Sequence, residues 1–443
     1  MCAAETRSVA VIGGGWAGCA AAVEVTRKGR RVELFEASRT LGGRARRVEI
    51  NDLSLDNGQH IMLGAYRETL QLMRAIGIDN RDAFLSLPLQ MRYPEGSGGM
   101  DFLAPRLPAP LHVLVALLRA SGLGRDDKMS LARFSTTARW MEWRLDNDCS
   151  VAELLDRFDQ TDRLIQLMWR PLCIAALNTP PERASAQVFL NVLRDSLGAR
   201  RAASDMLVPK ADLSALFPER AAEFIKKSGG SLHLGTAIKA IKQDNSGWKL
   251  HTDTALSELP TQRFESVIIA TQATHAAALL ESIAGAPHIP DFDYEPITTC
   301  YLQYDPSIRL PQPFFALLDE PESGHWGQFV FDRGQLDDRY AGLLAVVVSA
   351  STEAIELGHE RLCAAVARQL AETFKAPALE KLAWSKAISE KRATFACTPA
   401  LSRPKNETGI DGLLLAGDYT DSDYPATLEA AVRSGIRAAH LAA

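Results

Sequence analysis

Residues 9–36, VAVIGGGWAGCAAAVEVTRKGRRVELFE, set a strand, a glycine turn, a helix and a second strand in one uninterrupted run, which limits the fold to a dinucleotide-binding unit. The apolar stretch 9–12 has the continuous hydrophobicity of a buried parallel strand. Gly13-x-Gly15-x-x-Gly18 follows without a gap. Gly13 permits the tight turn, Gly15 lets a pyrophosphate approach the backbone, and Gly18 lets the helix lie against the sheet. The helix expected over 16–28 opens with Trp16 and Ala17, whose N–H groups point at the phosphates, and Gly29 ends it. The strand 31–35 then delivers Glu36 where an acid accepts from a ribose 2′-hydroxyl. The same residues also read as a short secretory segment ending at Cys19, but three adjacent glycines and the continuing helix argue against that.

A second glycine pair, Gly42-Gly43, precedes Arg44, a cation suited to a diphosphate. Residues 48–55 read as an edge strand running into the polar turn Asp56-Asn57-Gly58-Gln59-His60. From 88 to 207 helical periodicity dominates. The greasy segment 111–118 reads as a core or tunnel-lining helix, with a membrane-surface helix as the alternative. Ser150-x-x-Glu153 is a capping box, and Pro171 places a kink within the helix 162–177. Strands return after Pro218, at 231–234 and 236–241, with a turn at 245–247 and a buried strand over 264–271. Segments 297–304, 314–318, 328–331 and 343–349 suggest a second, antiparallel sheet, followed by a helix over 352–374 and a strand over 382–388. Finally 412–418, GLLLAGD, is a buried strand ending at Gly417-Asp418, and a helix over 426–440 follows.

Dinucleotide signals at the start, middle and end imply two interleaved domains. A Rossmann-like α/β unit takes 1–87, 208–290 and 390–443; an α+β unit with a mixed sheet and a helical part takes 88–207 and 291–389. The 443 residues carry a net charge of −5, which gives no support to nucleic-acid binding. Seven cysteines without a CxxC spacing suit a reducing cytosol and offer no metal site. One GxGxxG and no second one favours a permanently held FAD over NAD. At the far end, Asp418 is suited to a ribitol hydroxyl, and the helix start at Thr427-Leu428 to negative charge on the flavin ring.

These motifs together, GxGxxG with Glu36, LGGRA at 41–45 and LAGD at 415–418, resemble the GR2-containing amine oxidase and phytoene desaturase superfamily of FAD enzymes. LDNGQHIMLGAY at 55–66, WRPLCIAALNTPPERASA at 169–186 and EKRATFACTP at 390–399 resemble the squalene-associated flavoproteins, the hydroxysqualene dehydroxylases. The resemblance implies reduction of hydroxysqualene to squalene by reduced FAD, on a route towards hopanoids. It adds Gly43, Gly58, Gln59 and Ile238 to the cofactor contacts. It also sets His60 as the first candidate acid, with Tyr424 and Arg392 as polar partners. Trp169, Leu172, Phe189 and Phe395 are the expected walls of a pocket for a hydrophobic isoprenoid. An oxidative polyisoprene desaturase, an amine oxidase and a flavin-free prenyl-binding escort protein remain alternatives, as does peripheral contact with the inner face of the cell membrane. The sequence does not name the electron donor.

Overall fold

The computed structural model describes residues 8–244, 247–252 and 263–442. Five parallel strands form the central sheet, in the order Ser231–Leu234, Arg31–Glu36, Ser8–Ile12, Ser266–Ile269 and Leu413–Leu415. Its middle strands are buried on both sides, which explains why they read as continuous apolar runs. Val9 and Val11 face the helices Trp16–Arg27 and Leu428–Leu441, whereas Ala10 and Ile12 face the rest of the molecule. Those two helices cross at small residues: a Cβ on Gly435 would stand 2.2 Å from the Ala17 carbonyl oxygen. The last helix is thereby clamped onto the first, and the far end of the chain reaches the glycine loop.

The second sheet is antiparallel, in the order Phe314–Ala316, Phe329–Asp332, Leu343–Ser349, Tyr294–Gln303 and Trp384–Phe395. Side chains alternate across it, as the pleat requires. Cys300, Leu302, Val330, Val346 and Val348 pack with the helix His359–Thr373, and Ile297, Phe329, Phe331 and Val347 face the opposite way. Helices Arg125–Trp140, Val151–Arg157, Arg170–Leu177 and Ala186–Ser196 share the core that includes that second side. Among them Val151–Arg157 has its capping box intact: Glu153 N–H donates to Ser150 Oγ at 3.1 Å and Ser150 N–H to Glu153 Oε2 at 2.8 Å.

Several expected elements are redrawn. The edge strand over 48–55 is a hairpin, Arg47–Ile50 with Leu53–Asp56, turning at Asn51 and Asp52, whose φ values are +50° and +61°. Asn and Asp tolerate that left-handed conformation, so the turn was legible in the pair. The helix over 352–374 is two, Thr352–Glu356 and His359–Thr373, parted at Gly358 with φ +81°. The expected kink lies just before Pro171 as a π-helical turn, Ile165–Trp169. The strand at 382–388 is longer, Trp384–Phe395. The turn at 245–247 falls partly outside the described residues. The greasy helix, Leu111–Arg119, is not a core helix: it buries His112, Ala116 and Leu117 and exposes Leu111, Leu114 and Leu118.

Candidate active site

A cavity of about 1030 Å³ lies between the two sheets. One end is lined by Gly13, Gly15, Glu36 and Ile238, the middle by Gly43, Arg44, Gly58 and Gln59, and the other end by Met91, Phe102, Met168, Phe314, Phe329 and Phe331. The dinucleotide end is shaped by close backbone approaches. Gly13 turns with φ +108°, and a Cβ there would meet the Ala270 carbonyl oxygen at 2.5 Å. Gly18 stands where a Cβ would fall 1.9 Å from the Gly13 carbonyl oxygen, so only glycine lets the helix sit so low. Gly15 differs from both: the nearest atom to its missing Cβ is Gly43 Cα at 3.9 Å, and the space left free is cavity. Gly42 N–H donates to the Gly14 carbonyl at 2.9 Å, so the second glycine pair is pressed onto the first.

Glu36 is set at the end of its strand by Gly14 N–H at 2.5 Å and Ser38 N–H at 2.7 Å. The helix Trp16–Arg27 has no acid in its first turn, which leaves its free N–H groups to an anion. A backbone cradle without side chains, a dipole end and a carboxylate at one end of one cavity fit a dinucleotide. A flavin's adenosine and diphosphate would be held by these residues.

Arg44 and Asp418 join the two ends of the chain. Arg44 Nη2 donates to both carboxylate oxygens at 2.7 Å, and Nη1 to the Ala393 carbonyl at 2.7 Å. Burial works against the guanidinium's charge, but Asp418 outweighs it and holds the pKa above its ordinary value. Arg44 therefore comes to the cavity already paired, as a brace for Asp418. Replacing it leaves a carboxylate only 8% exposed without its cation. Arg44→Gln is expected to cost about 2 kcal/mol, below the roughly 3–5 kcal/mol of breaking a fully buried pair, because the Arg44 side chain is 26% exposed and the cavity gives access to water. Urea unfolding of the FAD-free protein measures it; no change in midpoint would show the brace to be unimportant. At the last helix, Thr427 Oγ1 accepts from Ala430 N–H at 3.1 Å, and Leu428 begins the helix at the cavity wall. Glu429, unremarked in the sequence, accepts from the N–H groups of Glu68 and Thr69 at 3.1 and 3.0 Å and so caps the helix Arg67–Ala75.

Three polar side chains expected from the sequence border the cavity. His60 borders the cavity, and its Nδ1–H donates to the Gly58 carbonyl at 2.5 Å, which leaves Nε2 without a hydrogen-bond partner among the described residues. Burial lowers its pKa, partly opposed by that hydrogen bond. Its neighbour Gln59 is fixed from behind: the buried Arg333 donates to Gln59 Oε1 at 3.0 Å. Tyr424 donates its hydroxyl to Asp195, and Arg433 covers its ring at 4.8 Å from the centroid. Burial, then that carboxylate, pushes the phenol up to about 12. Asp195 was not foreseen. Burial acts to raise its pKa, but hydrogen bonds from Arg194 and Tyr424 hold it below the usual carboxylate range.

Four expected residues lie elsewhere. Arg392 is exposed, its guanidinium over the Tyr294 ring at 5.8 Å, while Glu390, Ala393 and Thr394 of the same strand border the cavity. Trp169 and Phe189 pack edge to face at 6.1 Å in the core behind the wall, and Trp169 Nε1 donates to Gln160. Phe395 packs with Phe292 at 5.7 Å. Of the expected substrate walls only Leu172 borders the cavity, and the 111–118 helix contributes no lining residue. The apolar wall comes instead from one face of the antiparallel sheet. Its signal was the alternation Phe329-x-Phe331, with Phe314 opposite Phe331.

This combination, a parallel sheet with a glycine cradle at one end of a long cavity and the chain's last strand and helix closing its middle, defines an oxidoreductase class that keeps a dinucleotide cofactor beside an apolar substrate. The flavin containing amine oxidoreductase family matches residues 16–442, and the chain belongs to that family. It is an FAD-dependent oxidoreductase. The hydroxysqualene dehydroxylase of Sinorhizobium fredii is 26% identical to it across 98% of both chains. The zeta-carotene desaturase of Arabidopsis thaliana is 22% identical over 97% of this chain and 84% of its own. An oxidoreductase from Methanosarcina mazei shares the fold, with a TM-score of 0.71 at 16% identity over 97% of this chain and 99% of that one.

Proposed function

We propose that this chain reduces hydroxysqualene to squalene, a step towards hopanoid-type triterpenes. The observation that carries the reading is a cavity lined by Phe314, Phe329 and Phe331, which suit a long isoprenoid, and bordered as well by the polar side chains of His60, Tyr424 and Asp195. The dehydroxylase name of relatives matched end to end supports the same substrate. A hydrocarbon substrate, as a desaturase takes, has no group for these side chains to bind. An amine would find one face of Tyr424 already covered by Arg433.

Exchanging an allylic C–OH for C–H breaks the C–O bond, consumes a proton and a hydride, and releases water. Reduced FAD supplies the hydride when bound. The protein's part is to bind the hydroxyl, protonate it and shelter the resulting allylic cation. His60 Nε2 is the free atom that meets the hydroxyl, and as an imidazolium it donates to the departing oxygen. The Tyr424–Asp195 pair, which borders the same cavity, orients that oxygen. Phe314, Phe329 and Phe331 exclude water and offer ring faces, which stabilise a cation without trapping it as a carboxylate would.

The test is a single turnover without oxygen. Photoreduced protein mixed with hydroxysqualene is expected to regain oxidised-flavin absorbance and to yield squalene in equal amount. Reoxidation by neither hydroxysqualene nor its analogues, with no squalene formed, would sink the proposal. Turnover of oxidised protein with a polyene would favour the desaturase.

A further inference from the structure

The exposed face of the helix Leu111–Arg119 is left unexplained by the cavity it helps to support. Leu111, Leu114 and Leu118 stand 49%, 49% and 65% exposed at a spacing that sets them on one helical face, and Leu107, 36% exposed, precedes them. Leucines elsewhere in this chain are mostly buried, so three on one helical face, with a fourth exposed just before the helix, call for a covering surface. Among the described residues no helix is long and apolar enough to cross a membrane, so the row would have to lie on a surface.

Charge around the row identifies the covering surface. Arg106, Arg119 and Arg125 are exposed, and the charge of Arg106 also reaches the carboxyl of Asp205. Lys128 donates to the Leu118 carbonyl at 3.0 Å, which places its ammonium at the end of the row. Asp126 is the exposed carboxylate nearby in the chain. A chain with a net charge of −5 thus gathers cations at its most exposed leucines. That pattern complements an anionic lipid headgroup layer over an acyl interior. The buried face of the same helix leads inward: His112 Nε2 meets Ser204 Oγ at 3.3 Å, and Ser204 borders the cavity.

We propose that the Leu107–Leu118 row and its basic rim seat this protein on an anionic bilayer surface, with the helix Leu111–Arg119 lying in the headgroup plane. The helix then spans from the lipid layer to a residue of the cavity wall. The seating itself does not depend on which isoprenoid is turned over.

The experiment is flotation of the FAD-loaded full chain with vesicles of phosphatidylcholine alone or mixed with phosphatidylglycerol. Wild type is expected to float with the mixed vesicles and to be released by salt. Leu111→Ser/Leu114→Ser/Leu118→Ser should lose tenfold or more of its partitioning. Arg106→Glu/Arg119→Glu should lose at least about 25-fold, from about fivefold per basic residue removed. Both variants should keep bound flavin and wild-type turnover of detergent-dispersed substrate, because the altered residues do not border the cavity. Failure of wild type to float, or equal flotation of the triple-serine variant, overturns the proposal. So does a wild-type dimer by light scattering that the triple-serine variant abolishes, which would show a second copy covering the row. Flotation is read without substrate, so its failure leaves the dehydroxylase reading standing, and failed turnover leaves the membrane reading standing.

Discussion

Gly15→Val is expected to fold as the wild type does and to purify without flavin. The position has φ −72° and ψ −178°, an extended conformation open to any residue, so valine adds no backbone strain. Apart from its own chain neighbours, no described atom lies closer than 3.9 Å to the new Cβ. The added atoms therefore project into the cradle that a diphosphate must enter. Overpacking a close contact costs about 1–3 kcal/mol, which at the upper end lowers affinity about a hundredfold. The contrast is Gly18→Ala, whose Cβ would fall 1.9 Å from a carbonyl oxygen that the loop cannot move. That variant should lose stability as well as flavin. Flavin-fluorescence titration gives the affinities, and thermal unfolding of both variants against wild type stripped of FAD gives the stabilities, since bound ligand alone would raise the wild-type midpoint. A Gly15→Val protein that binds FAD normally would mean the diphosphate lies elsewhere.

The contrast between these two glycines also shows what the sequence could reveal. The dinucleotide unit was legible because its parts are local: strand, turn, helix and acid follow one another within residues 8–36, and each glycine's role depends on neighbours a few positions away. The last strand and helix were legible for the same reason, but not their bond to Arg44, 374 positions away, whose Nη2 is engaged by Asp418. The substrate wall was not legible from bulk alone. Trp169 and Phe189 are large and apolar, as a pocket wall would be, but a core side chain and a wall side chain differ only in which neighbour is missing. Sheet alternation carried the needed information, because Phe329 and Phe331 must share a face and Val330 must not. Asp195 and Glu429 went unseen because a charged residue on a helix reads as solvated until its partners, Tyr424 and the helix Arg67–Ala75, are brought to it by the fold.

Dehydroxylation should be fastest in acid and fall as pH rises, with its midpoint below the 6.5 of an ordinary imidazole. The sign follows from the role. The Nδ1–H is engaged by the Gly58 carbonyl, so only the imidazolium carries a second proton, on Nε2, to give to the leaving oxygen. Burial disfavours that charged form and moves its titration downward. Above the midpoint the active fraction falls tenfold per pH unit. His60→Gln should remove the pH limb and lower the rate about a hundred- to ten-thousand-fold, the usual contribution of a positioned acid, while flavin stays bound. The Tyr424–Asp195 pair predicts a different profile. A phenol pushed up to about 12 keeps its proton throughout the neutral range, so an acid at Tyr424 gives a rate that is flat there. Folding restricts the usable range: a histidine lowered in the folded state adds stability above its unfolded pKa and loses it as pH falls through the folded one. Rates are therefore compared only where circular dichroism is unchanged. A flat profile in wild type that Tyr424→Phe abolishes would transfer the acid role to the tyrosine. A limb below 6.5 that survives Tyr424→Phe and vanishes in His60→Gln would fix it on the histidine.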